Sequence, residues 1–159
     1  MVTRFPRDVV DVVPSSTVIL GGTNDLGWDV PSSTIITHLE RLYALALAAG
    51  VQPAGVTVPS LRAEDPGAGS VSLSSGSLPA WLHSHIQHRL ELNRLIAERC
   101  QHHHMPYVDL FEATAETPHH LLAAQYSSDG LHLNAAGYMK FAELVWNKLF
   151  AGRFGPCPA

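Results

Sequence analysis

The chain has 159 residues, 46% apolar and 15% charged, with a formal net charge of −4. That is enough for one domain with a real core, too apolar for a disordered chain, and without the basic stripe of a nucleic-acid binder. No apolar run approaches the roughly 18–20 residues that span a bilayer, no signal peptide stands at Met1, and two cysteines (Cys100 and Cys157) make no disulfide framework, which favours a reducing, cytoplasmic compartment.

In chain order, Val9 to Val13 is compatible with a helix end or an extended piece. Thr17-Val18-Ile19-Leu20-Gly21-Gly22 is a short β-branched apolar run ending in glycines, the pattern of a strand buried on both faces of a parallel sheet. Ser32 or Ser33 is placed to cap a helix over 34–49, whose Ile35, Ile36, Leu39, Leu42, Tyr43 and Ala46 share one stripe. Gly50 follows where a left-handed residue ends a helix. The run 55–59 reads as a second strand stopped by Pro59, and 60–78 as a Gly/Ser-rich loop with Glu64 and Asp65.

Pro79 opens a long helix reaching about His103. Leu82, Ile86, Leu90, Asn93, Ile96, Ala97 and Cys100 mark its inner face, with Asn93 a structural hydrogen-bonder. The run 106–110 reads as a third strand, and a loop with His119 and His120 follows. Asn134 caps a last helix over 135–150, with Tyr138, Phe141, Leu144, Val145 and Leu149 turned inward. The Gly/Pro-rich stretch 152–159 reads as a disordered tail, so 1–159 is expected to be a single domain. Strands alternating with helices imply a parallel sheet with right-handed crossovers, whose sites open beyond the strand C-termini. The loops after the three strands are therefore expected on one rim.

Two stretches on that rim carry chemistry. Asp129-Gly130-Leu131-His132 places a carboxylate three residues before an imidazole across a glycine. Such a carboxylate accepts from one ring nitrogen and fixes the tautomer whose other nitrogen takes a proton. In Gly22-Thr23-Asn24-Asp25, the Asn24 carboxamide and the N–H groups of Gly22 or Thr23 suit a developing oxyanion, where one donor is typically worth about 10²–10³ in rate. Asp25 reads as a turn carboxylate. The histidines at 102–104, at 83, 85 and 88, and at 119–120 form no facing ligand set and read as polar surface. Trp28 and Trp81 either wall the cleft or pack as core or rim aromatics.

Gly22-Thr23-Asn24-Asp25 and Asp129-Gly130-Leu131-His132-Leu133-Asn134, in this order and with these intervening elements, resemble the third and fifth sequence blocks of the SGNH (GDSL-type) lipase/esterase family. The resemblance covers residues 14–150. It implies a three-layer flavodoxin-like α/β fold and a serine-type carboxylic ester hydrolase acting on small acyl esters through an acyl-enzyme, with no metal or cofactor. It also implies that His132 is the general base, Asp129 its orienting carboxylate and Asn24 an oxyanion donor.

Two family blocks are not found. One is a strand followed by Gly-Asp-Ser, whose serine is the nucleophile; the other supplies an oxyanion glycine. Only 21 residues precede Gly22, so two βα units, on the order of 60 residues at about 30 each, are expected to be absent. The strand at 17–22 then becomes an open sheet edge that invites self-association. The chain alone is expected to be inactive unless a serine of the loop (Ser70, Ser72, Ser74, Ser75 or Ser77) substitutes. The competing readings are a catalytically dead pseudoenzyme or binding module on the same fold, and a nucleotide-binding domain, which the lack of a Gly-rich phosphate loop disfavours.

Overall fold

The computed structural model describes residues 1–62 and 78–154. Glu64, Asp65 and the five loop serines named above lie outside the described residues. Two compact units are formed, Met1–Val58 with Glu91–Val108, and Pro59–Leu90 with Asp109–Ala159.

The first unit contains helix α1 (Phe5–Asp8), a 3-10 turn at Val10–Val12, strand β1 (Ser16–Ile19), helix α2 (Thr23–Gly27), helix α3 (Ser32–Ala48), strand β2 (Gln52–Val56), the second half of helix α4 (Ala80–His102) and strand β3 (Tyr107–Val108). The sheet is parallel in the order β1-β2-β3. The predicted stripe of α3 is the core: Ile35, Ile36, Leu39, Leu42, Tyr43 and Ala46 pack with Leu92, Ile96 and Cys100 of α4 and with Ile19, Val51 and Val58. Each Leu, Ile or Val among them contributes about 1.5–3 kcal/mol on burial. Both helices press on β2 at one residue. A Cβ at Gly55 would lie 2.6 Å from Cys100 Sγ and 3.0 Å from Tyr43 Oη.

Pro53 sits inside β2 without breaking the ladder. The nitrogen of Gly55 points to β3, bonding Pro106 O, while that of Gln52 points to β1, bonding Ser15 O. By alternation position 53 faces the β3 side, where pairing begins only at Gly55↔Tyr107, so no acceptor is left without its donor.

Several boundaries differ from the sequence reading. The strand at 17–22 is not buried on both faces. Among the described residues β1 pairs with β2 alone, and Val18, turned away from α3, is 37% exposed. No serine caps α3: Pro31 precedes it at φ −58°, ψ 139°, and Ser32 is the first helical residue, buried. The ring of Pro31 presets that extended entry. Gly50 does end α3, at φ +73°, with Val51 N–H donating to Ala46 O at 2.9 Å and Gly50 N–H to Leu47 O at 3.0 Å, the paired bonds of a Schellman end.

The second unit holds the first half of α4, helix α5 (Leu110–Thr114), an antiparallel pair β4 (Ala115–Glu116) and β5 (Leu121–Leu122), a 3-10 turn at Ala124–Tyr126, helix α6 (Ala135–Leu149) and helix α7 (Ala151–Phe154). Leu82, Ile86 and Leu121 form a small apolar cluster with Leu61, Leu78 and Leu90 against it. The third strand stops at Val108 rather than 110, because the Asp109 side chain accepts from Glu112 N–H at 3.1 Å and starts α5. Tyr138 does not face inward; it is 61% exposed. The buried residue at the start of α6 is Gly137, so the inner stripe runs 137–141–144 and Tyr138 falls one residue, about 100°, off it. Where the sequence predicts a frayed tail from Gly152, the chain makes the short helix α7. It follows Phe150, whose N–H donates to Trp146 O at 2.8 Å; residues 155–159 lie outside the described residues.

Candidate active-site elements

The Asp129–His132 turn is a closed hydrogen-bonded unit. Ser127 and Leu133 form an antiparallel bridge, which brings the chain back on itself in seven residues. Inside it, Asp129 Oδ1 accepts from Leu131 N–H at 2.9 Å and His132 N–H at 2.7 Å, so the carboxylate is pinned by its own turn. Its other oxygen, Oδ2, lies 2.7 Å from His132 Nδ1. A carboxylate can only accept, so Nδ1 carries the proton and Nε2 is left as an acceptor. The His132 side chain is 77% exposed, which leaves that acceptor in solvent. The His132 N–H first, then the His132 ring and the Leu131 N–H, hold the Asp129 carboxyl well below the usual carboxylate range. The carboxylate therefore stays charged wherever a histidine base would work.

Ser127 is the residue the sequence reading passed over. It is 9% exposed. Its Oγ accepts from Gly130 N–H at 2.9 Å and donates to His132 O at 2.7 Å. Asp129 Oδ1, at 3.3 Å, competes for the same proton, and the shorter bond prevails. With both sides engaged, this hydroxyl is a strut of the turn and not a free nucleophile. A Ser-x-x-Gly spacing around the aspartate was the available signal. Gly130 is required on two counts: φ is +78° and a Cβ there would lie 1.8 Å from Arg62 O.

The exit of the turn is fixed by Asn134. Its Oδ1 accepts from Gly137 N–H at 3.0 Å, the predicted cap, while its Nδ2 donates to Gln125 O at 3.0 Å. A Cβ on Gly137 would meet Tyr126 O at 2.7 Å, so α6 starts in direct contact with the preceding 3-10 turn.

In the first unit, Gly22-Thr23-Asn24 is the entry of α2 rather than a free turn. Gly22 caps it at φ +115°, ψ −17°, and its carbonyl accepts from Leu26 N–H at 2.9 Å. The conformation demands glycine, and a Cβ would meet Leu92 Cδ2 at 2.8 Å. The amides of Thr23, Asn24 and Asp25 then belong to a first helical turn, without intrahelical acceptors. Thr23 is half-buried and the Asn24 side chain exposed. A pocket of about 390 Å³ opens beside them, lined by Gly22, Asp25, Met1, His38, Leu39 and Arg41. Trp28 does not pack as core; it is 83% exposed at the end of α2, and Trp81, 52% exposed, is an edge-on neighbour of His85.

Asn93 is the predicted structural group: its amide pairs with both polar atoms of the Val58 backbone. Among the described residues no cluster of His, Cys, Asp or Glu could hold a metal ion, and no helix is long and apolar enough to cross a membrane.

A family model described as GDSL-like lipase/acylhydrolase matches residues 1–140. Among solved structures, a GDSL-like lipase from Bacteroides thetaiotaomicron matches with a TM-score of 0.75 at 22% identity, over 92% of this chain and 67% of its own. An acetylxylan esterase from Geobacillus stearothermophilus matches with a TM-score of 0.69 at 16% identity, over 91% of this chain and 64% of its own. For the aryl esterase of M. smegmatis the TM-score is 0.64 at 17% identity, over 93% and 68%. The chain thus spans about two thirds of the length of these structures, and at such identities the likeness is one of fold. No curated protein matches it.

Proposed function

The chain belongs to the GDSL-like lipase/acylhydrolase family, and we propose that it carries the base and oxyanion parts of a serine-type carboxylic ester hydrolase acting on small acyl esters. The observation that supports this most is the contact of 2.7 Å between His132 Nδ1 and Asp129 Oδ2, on a carboxylate already immobilised by two backbone amides. In this reading His132 Nε2 takes the proton of an attacking serine hydroxyl. Asp129 stays ionised and stabilises the imidazolium. The ester carbonyl oxygen becomes an oxyanion that receives hydrogen bonds from the Asn24 carboxamide and from Gly22 or Thr23 N–H. Collapse breaks the ester bond, and the departing alkoxide takes the proton back from His132. Water, activated in the same way, then releases the acyl group from the serine.

The attacking serine is the part these 159 residues do not offer in the family form, since the sequence contains no Gly-Asp-Ser. Loss of a triad member leaves about 10³–10⁴ over water from the remaining groups, so the chain by itself is inactive or nearly so. That same absence favours the second reading, a catalytically dead pseudoenzyme or binding module that keeps the family fold. The two units are read as one domain. Among the described residues β1 pairs with β2 alone, which supports self-association through that edge.

Hydrolysis of an aryl acetate tests the reading. The purified chain and its His132→Ala variant should both stay near background. A chimera that adds, before Met1, the two leading βα units of one of the matched structures, with Gly-Asp-Ser directly after the first strand, should gain hydrolysis that His132→Ala removes. A folded chimera without activity would favour the binding module. Brisk, His132-dependent hydrolysis by the unmodified chain would overturn the expected inactivity.

A further inference from the structure

We propose that Arg62 is a positioning residue for the Asp129–His132 turn, a two-sided bracket that ties the turn to the β4–β5 pair. On one side the contact is main chain to main chain. Arg62 N–H donates to Gly130 O at 2.7 Å, and the Arg62 carbonyl occupies the space where a side chain at 130 would project, 1.8 Å from an ideal Cβ. On the other side the guanidinium divides its donors. Nε donates to Leu122 O at 2.8 Å, while Nη2 pairs with Glu116 Oε1. These partners lie on β5 and β4, so one side chain holds both strands. Neighbouring bonds run the same way: Leu122 N–H donates to Leu61 O at 3.2 Å, and Ser60 Oγ donates to His120 O.

Arginine suits this place because its fork carries separate donors for a carbonyl and a carboxylate, whereas lysine offers a single point charge. The pair is sheltered on one side only: the Arg62 side chain is 19% exposed and that of Glu116 41%. Glu116 is the informative partner. Among the described residues its carboxylate pairs with Arg62 and makes no contact with the turn, so Glu116→Gln perturbs the bracket and leaves the turn's own groups in place. The bonds inside the turn, from Ser127 and to Asp129, survive loss of Arg62. The main-chain bond to Gly130 O survives truncation of the side chain too; what is lost is the tie of the Arg62 backbone to β4 and β5, which loosens the placement of Gly130 and, through it, the alignment of the Asp129 carboxylate to Nδ1. That this alignment serves ester hydrolysis rests on the function proposed above; the bracket itself does not.

The test is ring ¹⁵N NMR of His132 in the intact chain, reading the ratio of the Nδ1–H to the Nε2–H tautomer at a pH where the ring is neutral. Thermal unfolding, followed by circular dichroism, reports whether each variant is folded. In the unaltered chain the Nδ1–H form should dominate. Arg62→Ala should lower the ratio by about threefold, less than the about tenfold that loss of a whole charge-assisted hydrogen bond would bring. Glu116→Gln should lower it in the same direction by a smaller factor, and Arg62→Lys should recover part of the loss. An unchanged tautomer ratio in folded Arg62→Ala and Glu116→Gln would overturn the proposal. If Arg62→Ala does not fold, Glu116→Gln decides alone. Because no turnover is read, this outcome stands apart from the fate of the esterase reading.

Discussion

Asn93 completes the end of β2 by pairing with Val58: its Oδ1 accepts from Val58 N–H at 2.7 Å and its Nδ2 donates to Val58 O at 2.9 Å. A helix side chain here does what a further strand would do. Both residues are buried, Asn93 at 7% and Val58 at 0% exposure. Asn93→Leu keeps the volume but leaves a buried N–H and C=O unpaired, each worth about 1–3 kcal/mol. Stability should fall by about 2–4 kcal/mol, measured as a lower urea midpoint at an unchanged slope. A loss under about 1 kcal/mol would show that water replaces the amide.

Gly55→Ala should overpack the core where α3 and α4 meet β2, because the added methyl would lie 2.6 Å from Cys100 Sγ. Overpacking of this kind costs about 1–3 kcal/mol. Cys100→Ala should recover part of it, and a double-mutant cycle should give a coupling of at least ~0.5 kcal/mol. Strict additivity would mean that the backbone, not the thiol, gives way.

Gly130→Ala should dislodge the turn. The left-handed conformation strains any other residue by about 1–2 kcal/mol, and the new Cβ cannot coexist with Arg62 O at 1.8 Å. The expected result is a stability loss of about 2 kcal/mol or more with shifted His132 resonances and, in the Gly-Asp-Ser chimera, lost hydrolysis. Unaltered His132 resonances would show that the turn does not need its glycine.

Asp129 should make stability depend on acid in a known direction. Its folded carboxyl is held below the unfolded value of about 3.9 by the His132 N–H, the His132 ring and the Leu131 N–H. Its contribution is therefore present above about pH 4 and is lost as pH falls through that value towards the folded one. The group is solvent-exposed, so the effect is screened and small. Denaturant unfolding at about pH 7 and about pH 3 should show a smaller pH-dependent loss in Asp129→Asn than in the unaltered chain. Equal losses would show that the turn does not favour the charged carboxylate.

Val18→Lys tests the proposed self-association. Val18 lies on the edge strand, 37% exposed, where a lysine blocks edge-to-edge pairing at little cost to folding. Sedimentation of the unaltered chain should show concentration-dependent association that the variant lacks. A monomer at all concentrations would dispose of the idea.

The sequence by itself determined the elements whose residues act locally. The α3 stripe, the Gly50 end, the Asn134 cap and the Asn93 hydrogen-bonder follow from spacing and from the chemistry of single side chains, and the Asp129–His132 contact spans only three residues. The family, too, was legible in two short stretches. Tertiary structure alone decided what depends on partners distant in sequence. Val18 is apolar yet 37% exposed because it lies on the face of β1 opposite the buried Ile19, and Tyr138 misses the inner stripe because Gly137 is the residue pressed against Tyr126. Arg62 reaches Leu122, Glu116 and Gly130 across 54 to 68 positions. No periodicity records such a contact, since a hydrogen bond between distant segments exists only after the chain has folded and leaves no local pattern behind.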